Sequence, residues 1–347
     1  METAALTADR SSKTRTRFID IARCIGIIAI IVGHTGDPGI QRIVYTFNVP
    51  IFFMITGYFT NDKTPFPRFA KRKFRTLIVP YLLTCLVMIL TALLTASLTG
   101  NDVIGEVKLW LYASLYGAGY NWTEPFFISS IGLVWFLWAT FFSSIFLRLL
   151  LKTKSTIRIL LVITAFAVGF ISSYIVWLPL SFQAGLCGIL YMYVGYLFAN
   201  AKDTAAGFGK ETKALLILAA FAMWIAFIIN FKGFWFVICD FGNGIPDIFG
   251  SICACIGVFT IAFFIEKYLK HSSRILSYIG ENSIFIVCVH AVEQNFMPWD
   301  NIINLILPNA GKALSLFLLC IFKLVLSISL GCLISRIPLI RKAFGMK

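Results

Sequence analysis

Long apolar stretches separated by short polar segments run the length of the chain. A helix needs about 20 mostly apolar residues to cross a bilayer. Runs of that kind fall near 18–36, 43–60, 76–99, 131–151, 157–176, 182–200, 213–231, 247–265, 274–295 and 313–335. The pattern predicts an all-α integral membrane protein, a polytopic bundle of about ten transmembrane helices. The first two runs are interrupted by Asp20, Arg23, His34, Asn48 and Pro50. Residues 100–130 mix polar positions with Trp110, Tyr112, Tyr116, Tyr120 and Trp122, which predicts an aromatic-rich segment lying in the outer interface.

The placement of charge orients these runs. With the N-terminal tail inside and ten alternating spans, 24 of the 30 Lys and Arg residues fall in inside segments and 4 in outside ones, leaving Arg23 and Lys323 within spans. That asymmetry obeys the positive-inside rule and predicts an N-in/C-in topology; the plasma membrane is the expected location. The expected organisation is a basic cytoplasmic tail over 1–17, one membrane domain over 18–335 and a second basic tail over 336–347. The tail 1–17 runs into an apolar stretch without a small-residue cleavage site, so this stretch reads as a retained first span.

Composition supports the same class. Apolar residues make up 59% of the 347 and charged residues 13%, about half the charge that a soluble domain uses to solvate its surface. The net charge of +14 sits in short clusters between apolar runs and forms no stripe interleaved with aromatics, which argues against nucleic acid. The nine cysteines fall almost entirely in apolar runs, with Cys239 expected outside them. No disulfide and no metal site is expected from their spacing.

Ionisable side chains inside a membrane cost several kcal/mol and mark candidate sites. Asp20, Arg23 and His34 project toward one side of the first span, because eleven residues complete about three helical turns. Asp20 and Arg23 read either as a structural ion pair or as part of a site, and His34 as a packing residue or a chemical one. The second span holds Asn48, Pro50 and Gly57, a pattern that suits a kinked, closely packed helix. Arg72 and Arg75 lie in the basic cluster 68–75, where they serve topology or clamp phosphates. Glu281, Ser283 and His290 lie in the ninth span, Ser283 and His290 on one face. Lys323 lies in the tenth, where it snorkels or neutralises a carboxylate such as Glu281.

Four segments taken together resemble membrane-bound acyltransferase family 3, in particular its fucose-4-O-acetylase-like members. One is Arg17-Phe18-Ile19-Asp20-Ile21-Ala22-Arg23 continuing to Val32-Gly33-His34, which matches an Arg, ten residues, His arrangement. The next is Val49-Pro50-Ile51-Phe52-Phe53 through Thr56-Gly57-Tyr58, with Thr56 where the family usually has Ser. Then comes Lys71-Arg72-Lys73-Phe74-Arg75 leading to Pro80-Tyr81, with the Arg-x-x-Arg spacing. The last is Val134-Trp135-Phe136, followed by Tyr278-Ile279-Gly280-Glu281-Asn282-Ser283 and His290.

That resemblance implies transfer of an acyl group, usually acetyl from acetyl-CoA, to a hydroxyl of a cell-surface or lipid-linked carbohydrate. Acyl-CoA is then a co-substrate, with no permanently bound cofactor. His34 becomes the expected catalytic base with Arg23 as its partner, and Arg72 and Arg75 the expected CoA-phosphate ligands. Asn48, Trp135, Glu281, Ser283, His290 and Lys323 are further candidates, as is Asp20. The competing class is a glycolipid or polysaccharide transporter or flippase.

Overall fold

The computed structural model describes residues 17–124, 126–201, 207–306 and 311–346. Arg10, Lys13, Arg15, Lys202 and Lys347, which entered the charge asymmetry, lie outside the described residues, as does nearly all of the expected N-terminal tail.

The described chain is helical, with two isolated bridges, Trp122–Ile128 and Trp235–Asp240, in place of a sheet. In order the helices are α1 (Arg17–Gly33), α2 (Pro38–Val44), α3 (Pro50–Tyr58), α4 (Phe66–Lys73), α5 (Val79–Thr99), α6 (Val103–Tyr116), α7 (Trp135–Leu150) and α8 (Ser155–Ser173). They continue with α9 (Phe182–Asn200), α10 (Lys210–Ile229), α11 (Ile245–Tyr268), α12 (Lys270–Glu281), α13 (Ser283–Phe296), α14 (Trp299–Ile306), α15 (Lys312–Ile334) and α16 (Pro338–Ala343).

Among the described residues seven helical stretches are long and apolar enough to cross a membrane, or eight if the bent pair α12–α13 is one span. These correspond to eight of the ten apolar runs. The other two runs are interrupted locally. α1 ends at Gly33 after 17 residues, because Asp37 caps a new helix: its carboxylate accepts from Ile40 N at 3.0 Å, with Pro38 in the first turn. Pro50 does not kink a long second span. It opens the nine-residue α3, where its missing N–H leaves no bond unmade. The run 43–60 is therefore the end of α2, a turn and a short helix.

The ninth run also breaks. Asn282 separates α12 from α13 at a 64° bend, its side-chain amide donating to Tyr278 O at 2.8 Å. Within 100–130, α6 stands on α5 and ends at Gly117, whose φ is +67°; Tyr81 O–H donates to Ser114 O at 2.6 Å across that contact. Cys239, expected outside the apolar body, is buried in it.

Lipid supplies no hydrophobic drive between helices, so close packing must hold the bundle. The contact of α3 with α9 is the extreme case. A Cβ on Gly57 would stand 1.8 Å from Met192 O, and one on Gly195 would stand 2.0 Å from Met54 O. The two helices touch backbone to backbone at reciprocal glycines, which holds the short α3 deep in the protein. Gly280 allows the same between α12 and α1, where a Cβ would meet Asp20 O at 1.7 Å. α9 is the most enclosed of the seven spans, whereas α8 and α10 present most of their surface outward.

Candidate functional site

These packing choices bring α1, α3, α7 and α13 around two cavities that abut. One, of about 230 Å³, is lined by Arg23, Thr56, Glu281, Ser283 and the C-terminal residues Phe344 and Met346. The other, of about 260 Å³, is lined by His34, Tyr45, Asn48, Trp135 and Gln294. Ile30, Phe136 and Val287 line both and form the wall between them. The predicted residues are thus sorted by depth along α1, with Arg23 on one side of an apolar partition and His34 on the other.

On the Arg23 side, its guanidinium pairs with Asp20 at 2.9 Å and lies over the Phe59 ring at 5.5 Å. The bend at Asn282 turns Glu281 and Ser283 into the same cavity. Arg72 and Arg75 stand outside its lining, although Thr76 and Leu77, which follow them in a π-helical turn over Phe74–Ile78, belong to it. The Arg75 guanidinium donates to the Lys342 carbonyl, and the Phe344 ring stacks on Phe285 at 4.7 Å. Together these contacts hold the C-terminal segment across the cavity.

On the His34 side, the imidazole Nδ1 lies 2.7 Å from the Ile30 carbonyl. A carbonyl can only accept, so Nδ1 carries the proton and Nε2 of the neutral ring keeps its lone pair. Tyr45 O–H and the Gln41 amide both donate to Gly33 O at 3.2 Å, which fixes the end of α1 from which His34 projects. Asn48 and Trp135 share the cavity with His34. His34 and Gln294 also line a polar cavity of about 410 Å³ with Trp299 and Lys323.

Behind His34 lies a cluster that the sequence reading saw only in part. The His290 ring meets it edge to face, centroids 5.5 Å apart. His290 is fully buried; its Nδ1 bonds the Glu293 carboxylate, and its Nε2 has no hydrogen-bond partner among the described residues. The second carboxylate oxygen of Glu293 accepts from Trp299 Nε1 at 2.5 Å. Lys323 Nζ stands 3.9 Å from Glu293, donates to the Gln294 side chain and lies over the Trp299 ring at 5.7 Å. The carboxylate beside Lys323 is therefore Glu293, while Glu281 lines the other cavity. Ser283 and His290 are likewise divided, Ser283 facing the Arg23 cavity and His290 packed on His34.

Glu293, Gln294 and Trp299 went unnoticed in the sequence. Glu293 carried a usable signal, an acid three residues after a histidine in one apolar helix, the same spacing that drew attention to Asp20 and Arg23. Gln294 and Trp299 carried none, since they matter only through what α15 and α14 bring to them.

The helical bundle thus places one histidine, His34, in the lining of both an apolar and a polar cavity. The chain belongs to membrane acyltransferase family 3, whose acyltransferase domain matches residues 16–336. Comparison with curated proteins returns no match, and comparison with solved structures returns none. The protein is thus a multi-pass membrane acyltransferase.

Proposed function

We propose that the protein is an O-acyltransferase that moves acetyl from acetyl-CoA to a hydroxyl of a cell-surface or lipid-linked carbohydrate. The observation that carries this reading is the placement of His34, with Nε2 as a free base, in cavities on both sides of which a substrate can stand. A sugar hydroxyl is a weak acid and needs its proton removed as it attacks, which a neutral imidazole near pH 7 can do. In the reaction the hydroxyl oxygen bonds the thioester carbonyl carbon while Nε2 takes the hydroxyl proton. The C–S bond then breaks, and His34 returns that proton to the leaving thiolate as free CoA. Asn48 and Trp135 carry N–H groups suited to the negative charge that develops on the carbonyl oxygen.

The donor enters in this proposal from the side of Arg23. The basic residues Arg72 and Arg75 attract the CoA phosphates there, and the thioester arm passes Ile30, Phe136 and Val287 to reach His34. This fits an N-in/C-in arrangement in the plasma membrane, in which α1 and the α2–α3 pair complete a ten-pass path with the eight longer elements. His290 and Glu293 position the His34 ring from behind.

Purified protein supplied with acetyl-CoA and candidate glycans tests the proposal. Acceptor-dependent release of free CoA, lost in His34→Ala with folding retained, is the expected result. Transport of a glycolipid with no CoA release would instead support a flippase.

A further inference from the structure

An open furrow of about 620 Å³, larger than the cavities of the site, lies on the outer surface of the bundle. α13 forms its floor, and α5 and α15, which both pack on α13, form its walls. Its lining is mostly aliphatic and aromatic, including Leu86 and Leu90 of α5, Val289 and Val292 of α13 and Leu330 of α15. Leu86 and Leu90 are half exposed, so the furrow opens sideways into the hydrocarbon of the bilayer. It runs along α13 from Phe285 to Phe296, about 16 Å at 1.5 Å per residue, which is half the thickness of a hydrocarbon core.

Two features separate this furrow from the other lipid-facing surfaces. Glu293 is the charged residue among its described lining, and that carboxylate is bonded to His290 and Trp299 behind His34. Met297 lines the furrow and also the polar cavity that holds His34, Gln294, Trp299 and Lys323. The apolar furrow thus ends where the polar cavity begins. An oil-like trough that abuts a water-like chamber at Met297 suits an amphiphile, since a soluble sugar gains nothing from the first and a hydrocarbon gains nothing from the second.

We infer that the furrow between α5 and α15 holds the single hydrocarbon chain of a lipid-linked acceptor, with its hydroxyl-bearing head in the polar cavity beside His34. This rests on the acyl-transfer reading and narrows its acceptor to an amphiphile that enters from the membrane. The chain stays in the bilayer hydrocarbon while the head reaches Nε2, so the acceptor need not leave the membrane to react.

A long-chain alkyl glucoside with a diazirine in its chain probes the furrow in full-length protein reconstituted in phosphatidylcholine nanodiscs. Photolabel is expected on α5, α13 and α15 residues of the furrow. Leu90→Trp, which fills the furrow, should reduce it several-fold, whereas Leu94→Trp, on the same lipid-facing helix but outside the furrow, should not. Label spread evenly over the lipid-facing surface, equal effects of the two tryptophans, or equal labelling by a diazirine phosphatidylcholine would each overturn the inference. In turnover, Leu90→Trp should raise KM for the long-chain glucoside about tenfold at unchanged KM for acetyl-CoA; equal KM values in wild type and Leu90→Trp count against it. Furrow labelling as expected with no CoA release from any acceptor would support the occupancy while sinking acyl transfer, so the two failures are told apart.

Discussion

His34 at the end of α1 and His290 within α13 meet edge to face, with centroids 5.5 Å apart and planes at 75°. Each has its Nδ1 engaged, one by the Ile30 carbonyl and the other by Glu293. The rings are therefore oriented from opposite sides, and a substrate meets an imidazole that cannot turn away without breaking a bond.

Replacing His34 by Ala or Gln removes the proposed base. Acyl transfer should fall by about 10²- to 10⁴-fold, the usual worth of a general base. Rate measurements alongside size-exclusion profiles check this, and near wild-type turnover in His34→Gln would remove His34 from the chemistry.

Glu293 anchors His290, Trp299 and Lys323 at once. Glu293→Ala withdraws a carboxylate from a buried cluster and should destabilise the protein by about 3–5 kcal/mol. Glu293→Gln keeps an acceptor, so it should fold and bind acetyl-CoA normally but show a lower kcat and an altered pH–rate profile. Thermal unfolding in detergent and steady-state kinetics separate the two variants. An unchanged pH profile in Glu293→Gln would leave Glu293 a purely structural role.

Phe136 forms part of the wall between the two cavities. Phe136→Ala should open that wall, raise acetyl-CoA hydrolysis in the absence of acceptor and admit longer acyl donors. Free-thiol release without acceptor, compared with wild type, gives the readout; no increase would place the donor path elsewhere.

Gly57 meets Met192 O so closely that no side chain fits. Gly57→Val should separate α3 from α9 and abolish monodisperse expression, while Gly209→Val, where a Cβ meets nothing, should be tolerated. Fluorescence-detected size exclusion reads both.

Orientation can be tested with single cysteines in a cysteine-free background. An impermeant maleimide should label Asn101→Cys in intact cells and Thr153→Cys only after permeabilisation. The reverse pattern would overturn the N-in/C-in assignment.

The comparison of sequence with structure turns on a few residues. Hydropathy located α5, α7, α8, α9, α10, α11 and α15 within a few residues, because a lipid-exposed helix must be apolar along its whole length. It misjudged 43–60, since an apolar run says nothing of where the chain turns. Asp37 caps α2 ahead of that run, Pro50 opens α3 within it, and Gly57 lets this nine-residue piece sit inside the protein. Asn282, set between Glu281 and Ser283 in the ninth run, hides the 64° bend that separates Glu281 from His290.

The site divides in the same way. His34 and Asn48 stood out from the sequence as polar residues in apolar runs and Trp135 through the family resemblance, and the three do share one cavity. Arg23, Glu281 and Ser283 share the other. What the sequence by itself determined was the membrane class, most of the spans and the residues too polar to face lipid, because each follows from the cost of placing a given side chain in hydrocarbon. Only the tertiary structure decided that an apolar wall stands between Arg23 and His34, that Glu293 rather than Glu281 stands beside Lys323, and that His290 backs His34. Those relations depend on how helices distant in sequence cross, and crossing is set by glycine contacts and a local bend that hydropathy does not register.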